Sequence, residues 1–133
     1  MSYSLILPTY NEKNHIIKLI SQLINLLKKT KKKFEIIVVD DNSKDGTAQI
    51  IKKKKFNKRF VKIFIRKKKN SLVESLNLGI NKSKYKNIIW MDADFQHPPN
   101  YVSKLIEQEK KFDIVICSRF LKESKRHFDK KKI

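Results

Sequence analysis

The residues that could do chemistry in this 133-residue chain are carboxylates, and they are bunched. Of seven aspartates, five fall in two short stretches: Asp40, Asp41 and Asp45 in one, Asp92 and Asp94 in the other. The second stretch runs from four apolar residues, Ile88 to Met91, straight into Asp92-Ala93-Asp94-Phe95-Gln96-His97 and closes on Pro98 and Pro99. Alternate side chains of an extended backbone share a side, so Asp92, Asp94 and Gln96 would point together. Three oxygen-bearing side chains aimed one way form a partial shell for a hard divalent cation, Mg²⁺ or Mn²⁺. The plainer alternative is a strand ending in a polar loop, with Asp92 or Asp94 capping a turn. For an isolated Asp-x-Asp the plain alternative is the commoner outcome, so the neighbours must decide.

Those neighbours depend on the elements that carry them. Ser4 to Leu7 reads as a short apolar strand closed by Pro8-Thr9-Tyr10. Asn11 would cap a helix reaching about Lys29, with Ile16, Ile17, Ile20, Leu23, Ile24 and Leu27 on one face. Phe34 to Val39 is a second apolar strand, followed by the acidic loop and a tight turn at Asp45-Gly46 before a short helix to about Lys55. Val61 to Arg66 alternates as a third strand, and Ser71 to Lys82 has helical spacing at Leu72, Val73, Leu76 and Ile80. The Ile88 strand, a helix over about 99–110 and a fifth apolar strand over Asp113–Cys117 complete the domain, taken as residues 1–120. Residues 121–133 read as a loose charged tail.

Alternating strands and helices predict an α/β fold: a mostly parallel sheet with helices on both faces, in Rossmann-like order 3-2-1-4. Ligands of such sheets bind beyond the carboxyl ends of the strands, where the order reverses. That edge receives Thr9 to Glu12, Asp40 to Asp45, and Asp92 to Gln96. Carboxylates this close repel unless a metal or hydrogen-bond donors hold them. A nucleoside diphosphate carrying a divalent ion would bring both. No G-x-G-x-x-G and no P-loop is present, which removes the dinucleotide and ATPase readings.

The net charge of +19 points towards polyanions, but it comes from 28 Lys and only 4 Arg. Lys28 to Lys33 and Lys52 to Lys55 fall at helix C-termini, far from the acids, and serve there as solvated ends. Arg66 to Lys69 follows the third strand on the acidic edge, where it would either approach a pyrophosphate or remain solvated. Aromatic residues do not interleave with the basic tracts as a stacking platform requires, so no nucleic-acid partner is expected. Cys117, the only cysteine, lies in an apolar run and reads as core, as does Trp90. His15, His97 and His127 have no metal-ligand spacing, and His97 reads as a loop residue. No apolar run approaches the roughly 18 residues of a membrane span, and no signal peptide is legible, so the cytoplasm is the default location.

With these pieces assembled, the chain resembles the family 2 glycosyltransferases, in particular the dolichol- or polyprenyl-phosphate mannosyltransferase branch. The likeness rests on Leu7-Pro8-Thr9-Tyr10-Asn11-Glu12, Val39-Asp40-Asp41-Asn42-Ser43-Lys44-Asp45-Gly46-Thr47, Asn77-Leu78-Gly79, Met91 to Pro99, and Ser118-Arg119-Phe120. It implies a GT-A nucleotide-diphospho-sugar transferase fold and a hexosyltransferase of the inverting type. Pro8, Tyr10, Glu12, Asp40, Asp41 and Asp92 would surround the nucleotide of a GDP- or UDP-sugar, with Lys69 near its pyrophosphate. Asp92, Asp94 and Gln96 would bind Mg²⁺ or Mn²⁺. Asp94 would thereby serve catalysis, and Arg119 would meet the phosphate of a lipid acceptor at a membrane face. The resemblance covers the donor half; the acceptor half that follows in the family would be missing, or supplied by a partner chain or a second copy. A nucleotide-sugar binder without turnover and a lysine-rich binder of nucleic acid or anionic membrane are the competing expectations.

Overall fold

Strands β1 (Ser2–Thr9) and β2 (Lys33–Asp40) lie side by side at the centre of a parallel sheet, paired from Ser2 with Lys33 to Thr9 with Asp40. Both are apolar along nearly their whole length, as a strand covered on two faces must be. β3 (Val61–Ile65) pairs with β2 and β4 (Asn87–Trp90) with β1, giving the order β3-β2-β1-β4. The computed structural model describes residues 1–118. Between the strands run α1 (Ile16–Lys29), α2 (Thr47–Lys54) and α3 (Leu72–Lys82), and α4 (Tyr101–Gln108) follows β4. The predicted order 3-2-1-4 and the crossover helices are thus present, and the reversal of order falls between β1 and β4.

The two faces of the sheet are unequal. On one, Leu5, Leu7, Ile36, Val38, Val61 and Ile89 pack against α1, with Ile51 of α2 and Val102 and Ile106 of α4 in the same core. The other face is a thin strip, Ile6, Ile37 and Val39, covered by Phe64 and by Leu76 and Leu78 of α3. Each of these fully buried aliphatics is worth roughly 1.5–3 kcal/mol, so the thin face has little to spare. It is extended by a buried polar cluster at its amino end. Glu35, almost fully buried, accepts from Ser4 Oγ, Lys62 Nζ and Lys84 N, each at 2.6 Å. Burial raises the Glu35 pKa, but those hydrogen bonds and the Lys62 charge outweigh it and hold the carboxyl below its ordinary value.

Several expectations need correction. The first helix starts at Ile16 rather than after Asn11, because Asn11 adopts a left-handed backbone (φ 53°) and its side chain serves the neighbouring loop. The buried face of α3 is not the one its large apolar residues mark: Leu72, Val73 and Ile80 are exposed, while Ser75 and Gly79 face the sheet. Small residues one helical turn apart let the helix approach closely, which periodicity of large apolar residues does not reveal. Asp113–Cys117 forms no strand; Ile114 and Ile116 are exposed and so is Cys117. Trp90 is half exposed, because α3 covers β1 and β2 and leaves the outer face of the edge strand open. An apolar run says that a strand would be buried, but not whether a neighbour exists to bury it.

Two stability measurements test this arrangement. A Cβ placed on Gly79 would stand 2.5 Å from Ile6 Cγ2. Overpacking of that kind costs about 1–3 kcal/mol, and the helix-propensity gain of alanine returns only about 1 kcal/mol. Gly79→Ala should therefore lower the urea midpoint, and an unchanged midpoint would show that α3 does not rest on Ile6. Because the folded Glu35 carboxyl lies below its unfolded value, its contribution is present above about pH 4.5 and lost as pH falls through the lowered value. Glu35→Gln should be less stable than the parent at pH 7 and should lose that part of the acid slope.

Candidate functional site

The loops after β1 and β2 are sewn together by side-chain caps. Successive backbone N–H groups of Asn11, Glu12 and Lys13 donate to Ser43 Oγ (2.9 Å), Thr47 Oγ1 (3.0 Å) and Asp45 Oδ2 (3.1 Å). In return Lys44 N donates to Asn11 Oδ1 at 2.9 Å. Asp40 closes the second loop on itself, accepting from Ser43 N, Ser43 Oγ and Thr9 Oγ1. Asp45 accepts from the Thr47 hydroxyl and amide as well as from Lys13. Burial pushes the Asp45 pKa up, yet these donors more than offset it and the carboxyl lies below its ordinary value. Hydrogen-bond donors of the protein itself thus hold these two acids.

Asp41 is held differently. It projects from β2 onto the α3 side of the sheet, where its Oδ1 meets Arg66 Nη1 and its Oδ2 accepts Ser71 N at 2.7 Å. Only 9% of either ionic side chain is exposed. Arg66 also donates to the carbonyls of Ser71 (3.4 Å) and Lys69 (3.3 Å), so the segment from β3 to α3 wraps around its guanidinium. Ser71 in turn caps α3, its side chain accepting Glu74 N at 3.2 Å.

An open cleft of about 270 Å³ lies where these parts meet. Pro8, Thr9 and Tyr10 form one wall; Asn70, Ser71, Leu72 and Ser75 form the other, with Asp41 between them. Ser75 Oγ is buried and has no hydrogen-bond partner among the described residues. A second opening of about 380 Å³, lined by Arg66, Lys68 and Lys69, adjoins it.

Past β4 the alternation expected for Asp92, Asp94 and Gln96 holds only in part. Met91 and Ala93 are buried, and Asp92 and Asp94, which alternate with them, are partly exposed. Phe95 then takes a left-handed backbone (φ 62°), and Gln96 N folds back to Asp94 Oδ1 at 3.0 Å. Gln96 therefore follows a turn rather than an extended backbone. Asp92 N donates to His97 Nδ1 at 3.1 Å, which leaves the ring proton on Nε2, 3.7 Å from the Asp92 carboxylate. Among the described residues neither Asp92 nor Asp94 has a lysine or arginine partner. No group of three or more His, Cys, Asp or Glu side chains gathers among the described residues to hold a metal ion. The protein offers two carboxylates, a donor set suited to a cation whose remaining positions come from phosphate oxygens and water.

Pro8, Tyr10 and Asp41 of the expected nucleotide set line the first cleft, and Lys69 lines the second. Asp40 is absent from the cleft wall, its oxygens turned to Thr9 and Ser43. Glu12 is partly buried and contacts His15 (3.1 Å). Arg119 lies outside the described residues. Sequence reasoning missed Arg66 as the partner of Asp41, although the alternation of β3 puts Lys62, Phe64 and Arg66 on one side. It also missed His97, whose lone Nδ1 contact has no sequence signal, and Ser75, which was hidden in a helix read by its larger residues.

Residues 4–133 match the family model described as glycosyl transferase family 2. A dolichol-phosphate mannosyltransferase of Pyrococcus furiosus is 38% identical over 127 residues, covering 94% of this chain and 35% of that protein. A dolichol-phosphate mannosyltransferase of Saccharomyces cerevisiae is 36% identical over 108 residues, with 80% and 40% covered. The mannosyltransferase PcManGT of Pyrobaculum calidifontis, solved with GDP-Man and Mn²⁺, superposes with a TM-score of 0.61 at 21% identity, over 79% of this chain and 31% of its own. The chain spans between a third and two fifths of the length of these curated relatives. Among the described residues no helix is long and apolar enough to cross a membrane. By the family match over almost its whole length, and by its parallel sheet with acids gathered at the β1–β4 edge, the chain belongs to glycosyl transferase family 2 and has the GT-A fold.

Proposed function

We propose that the chain binds a nucleoside-diphosphate sugar with a divalent cation and moves its hexosyl group, mannose or glucose, to a polyprenyl- or dolichyl-phosphate acceptor. One observation carries this reading. Asp40, Asp41 and Asp45 are held by protein donors, whereas Asp92 and Asp94, at the same sheet edge, have no lysine or arginine partner among the described residues. The names of the curated relatives support the acceptor class, and the GDP-Man and Mn²⁺ of the superposed mannosyltransferase support the donor and metal. A staphylococcal TarS structure at 27% identity, TM-score 0.56 for its UDP complex at 26%, leaves the nucleotide as GDP or UDP.

In this reading Asp92 and Asp94, with Gln96 close in sequence, would hold Mg²⁺ or Mn²⁺. Such an ion supplies Lewis-acid stabilisation of the departing diphosphate. Pro8, Tyr10 and Asp41 seat the nucleoside, Asp40 and Glu12 keep the two loops in place around it, and Lys69 faces the pyrophosphate. His97 positions Asp92 through the backbone amide. An acceptor phosphate is already ionised at neutral pH, so its oxygen attacks the anomeric carbon without a protein base. The new bond from the acceptor phosphate's oxygen to that carbon forms as the bond from the carbon to the diphosphate oxygen breaks, with inversion. Arg119 would receive the acceptor phosphate. A polyprenyl chain would keep the reaction at a membrane surface. The competing reading is binding of the nucleotide sugar without transfer. Transfer of radiolabelled sugar to polyprenyl phosphate separates the two.

Binding to the folded state stabilises it by about 2.7 kcal/mol at a ligand concentration a hundredfold above Kd. A GDP- or UDP-sugar with Mn²⁺ should therefore raise the melting temperature by several degrees. No shift with any nucleotide sugar at millimolar concentration would overturn the proposal. Asp94→Ala should melt as the parent does without ligand and should lose the Mn²⁺-dependent part of the shift.

A further inference from the structure

The helical serines of this protein differ in one respect. Ser21 and Ser83 return their hydroxyl protons to the carbonyl four residues earlier, at 2.8 Å in each case, the usual way a serine in or at the end of a helix satisfies itself. Ser75 does not. Its counterpart carbonyl, Ser71 O, already accepts Ser75 N at 3.0 Å and Arg66 Nη1 at 3.4 Å. The guanidinium that neutralises Asp41 thus occupies the acceptor that Ser75 would otherwise use. Its hydroxyl is left buried, without a partner among the described residues, in a residue that lines the cleft. An unmade hydrogen bond in a buried place is costly, and such a group is a candidate to be completed by a ligand.

The surroundings decide which part of a ligand it would complete. Tyr10 and Leu72, each about half exposed, and Pro8 offer apolar surface suited to a flat ring. The Asp41 carboxylate at the same cleft opposes a phosphate there and, being acceptor-only, takes an N–H or O–H donor from a ligand. We infer that Ser75 is a specificity residue of the cleft, its hydroxyl donating to the ring carbonyl of a nucleobase whose adjacent N–H faces Asp41. That pairing selects bases with a lactam edge, guanine and uracil, over adenine and cytosine, which lack an N–H beside a carbonyl. The inference rests on the nucleotide-sugar reading above and adds the residue that reads the base.

The test is calorimetric titration of the whole chain with GDP, UDP, ADP and CDP in Mn²⁺, for the parent and for Ser75→Ala, with urea unfolding of both. The parent should bind GDP or UDP more tightly than ADP and CDP. Ser75→Ala should weaken the preferred nucleotide about threefold to tenfold, the effect of one lost hydrogen bond, and leave the others unchanged. Its unfolding midpoint without ligand should equal or exceed that of the parent, because an unsatisfied group has been removed. Equal nucleotide affinities in parent and variant would overturn the role of Ser75 while leaving the nucleotide-sugar reading standing. A lowered midpoint would overturn it too, by revealing a partner within the protein. A parent that binds none of the four would overturn both.

Discussion

Asp41 and Arg66 face one another across the ends of β2 and β3, and the shape of the ligand edge follows from how they are satisfied. Taking two ions out of water costs several kcal/mol per ion, and the attraction between them offsets this only when their remaining donors and acceptors are also used. Here they are: Asp41 takes the Ser71 amide, and Arg66 takes the carbonyls of Lys69 and Ser71. The chain between β3 and α3 has to wrap around the guanidinium to make those bonds. In doing so it places Ser71 as the cap of α3, sets Asn70 and Leu72 along the cleft, and saturates the carbonyl that Ser75 would have used. One ion pair therefore orders the cleft wall and leaves Ser75 Oγ as its one buried orphan among the described residues.

The same sheet face carries a second acid–base pair, Glu35 with Lys62, at the opposite end of the strands. Between the pairs lie only Ile6, Ile37 and Val39, beneath Phe64, Leu76 and Leu78. A face so thin cannot hold α3 by apolar area alone. The pairs hold the helix by its two ends instead, since Ser71 at its start bonds to Asp41, and Lys84, just past its end, bonds to Glu35. Gly79 completes the arrangement by letting the helix lie directly on Ile6. The opposite face, with α1, α2 and α4 over a broad aliphatic core, needs no such fastening.

Among the five aspartates at the ligand edge, repulsion is resolved in two ways. Asp40, Asp41 and Asp45 are each met by protein donors, and their work is to hold loops and neutralise Arg66. Asp92 and Asp94 are partly exposed, and His97 Nε2 stands 3.7 Å from the Asp92 carboxylate. In a chain of net charge +19 with 28 lysines, neither has a lysine or arginine partner among the described residues. The turn at Phe95 and the His97 contact hold this stretch in place.

The sequence by itself determined the alternation of strands and helices, the order of the four strands and the gathering of acids at one edge. These depend on local apolar periodicity, on the handedness of parallel crossovers, and on where each strand must end. The family motifs, Leu7 to Glu12, Val39 to Thr47 and Met91 to Pro99, were legible for the same reason, because each is a contiguous loop. Only the tertiary structure decided which acids were already satisfied, since the partners of Asp41, Glu35 and Asp45 lie 25, 27 and 32 residues away in the chain. It also decided that Asp113–Cys117 forms no strand and lies exposed at Ile114 and Ile116, and that Trp90 stands on an open face of the edge strand. Composition records that a residue is apolar or charged; whether it is covered or neutralised depends on a neighbour brought by the fold.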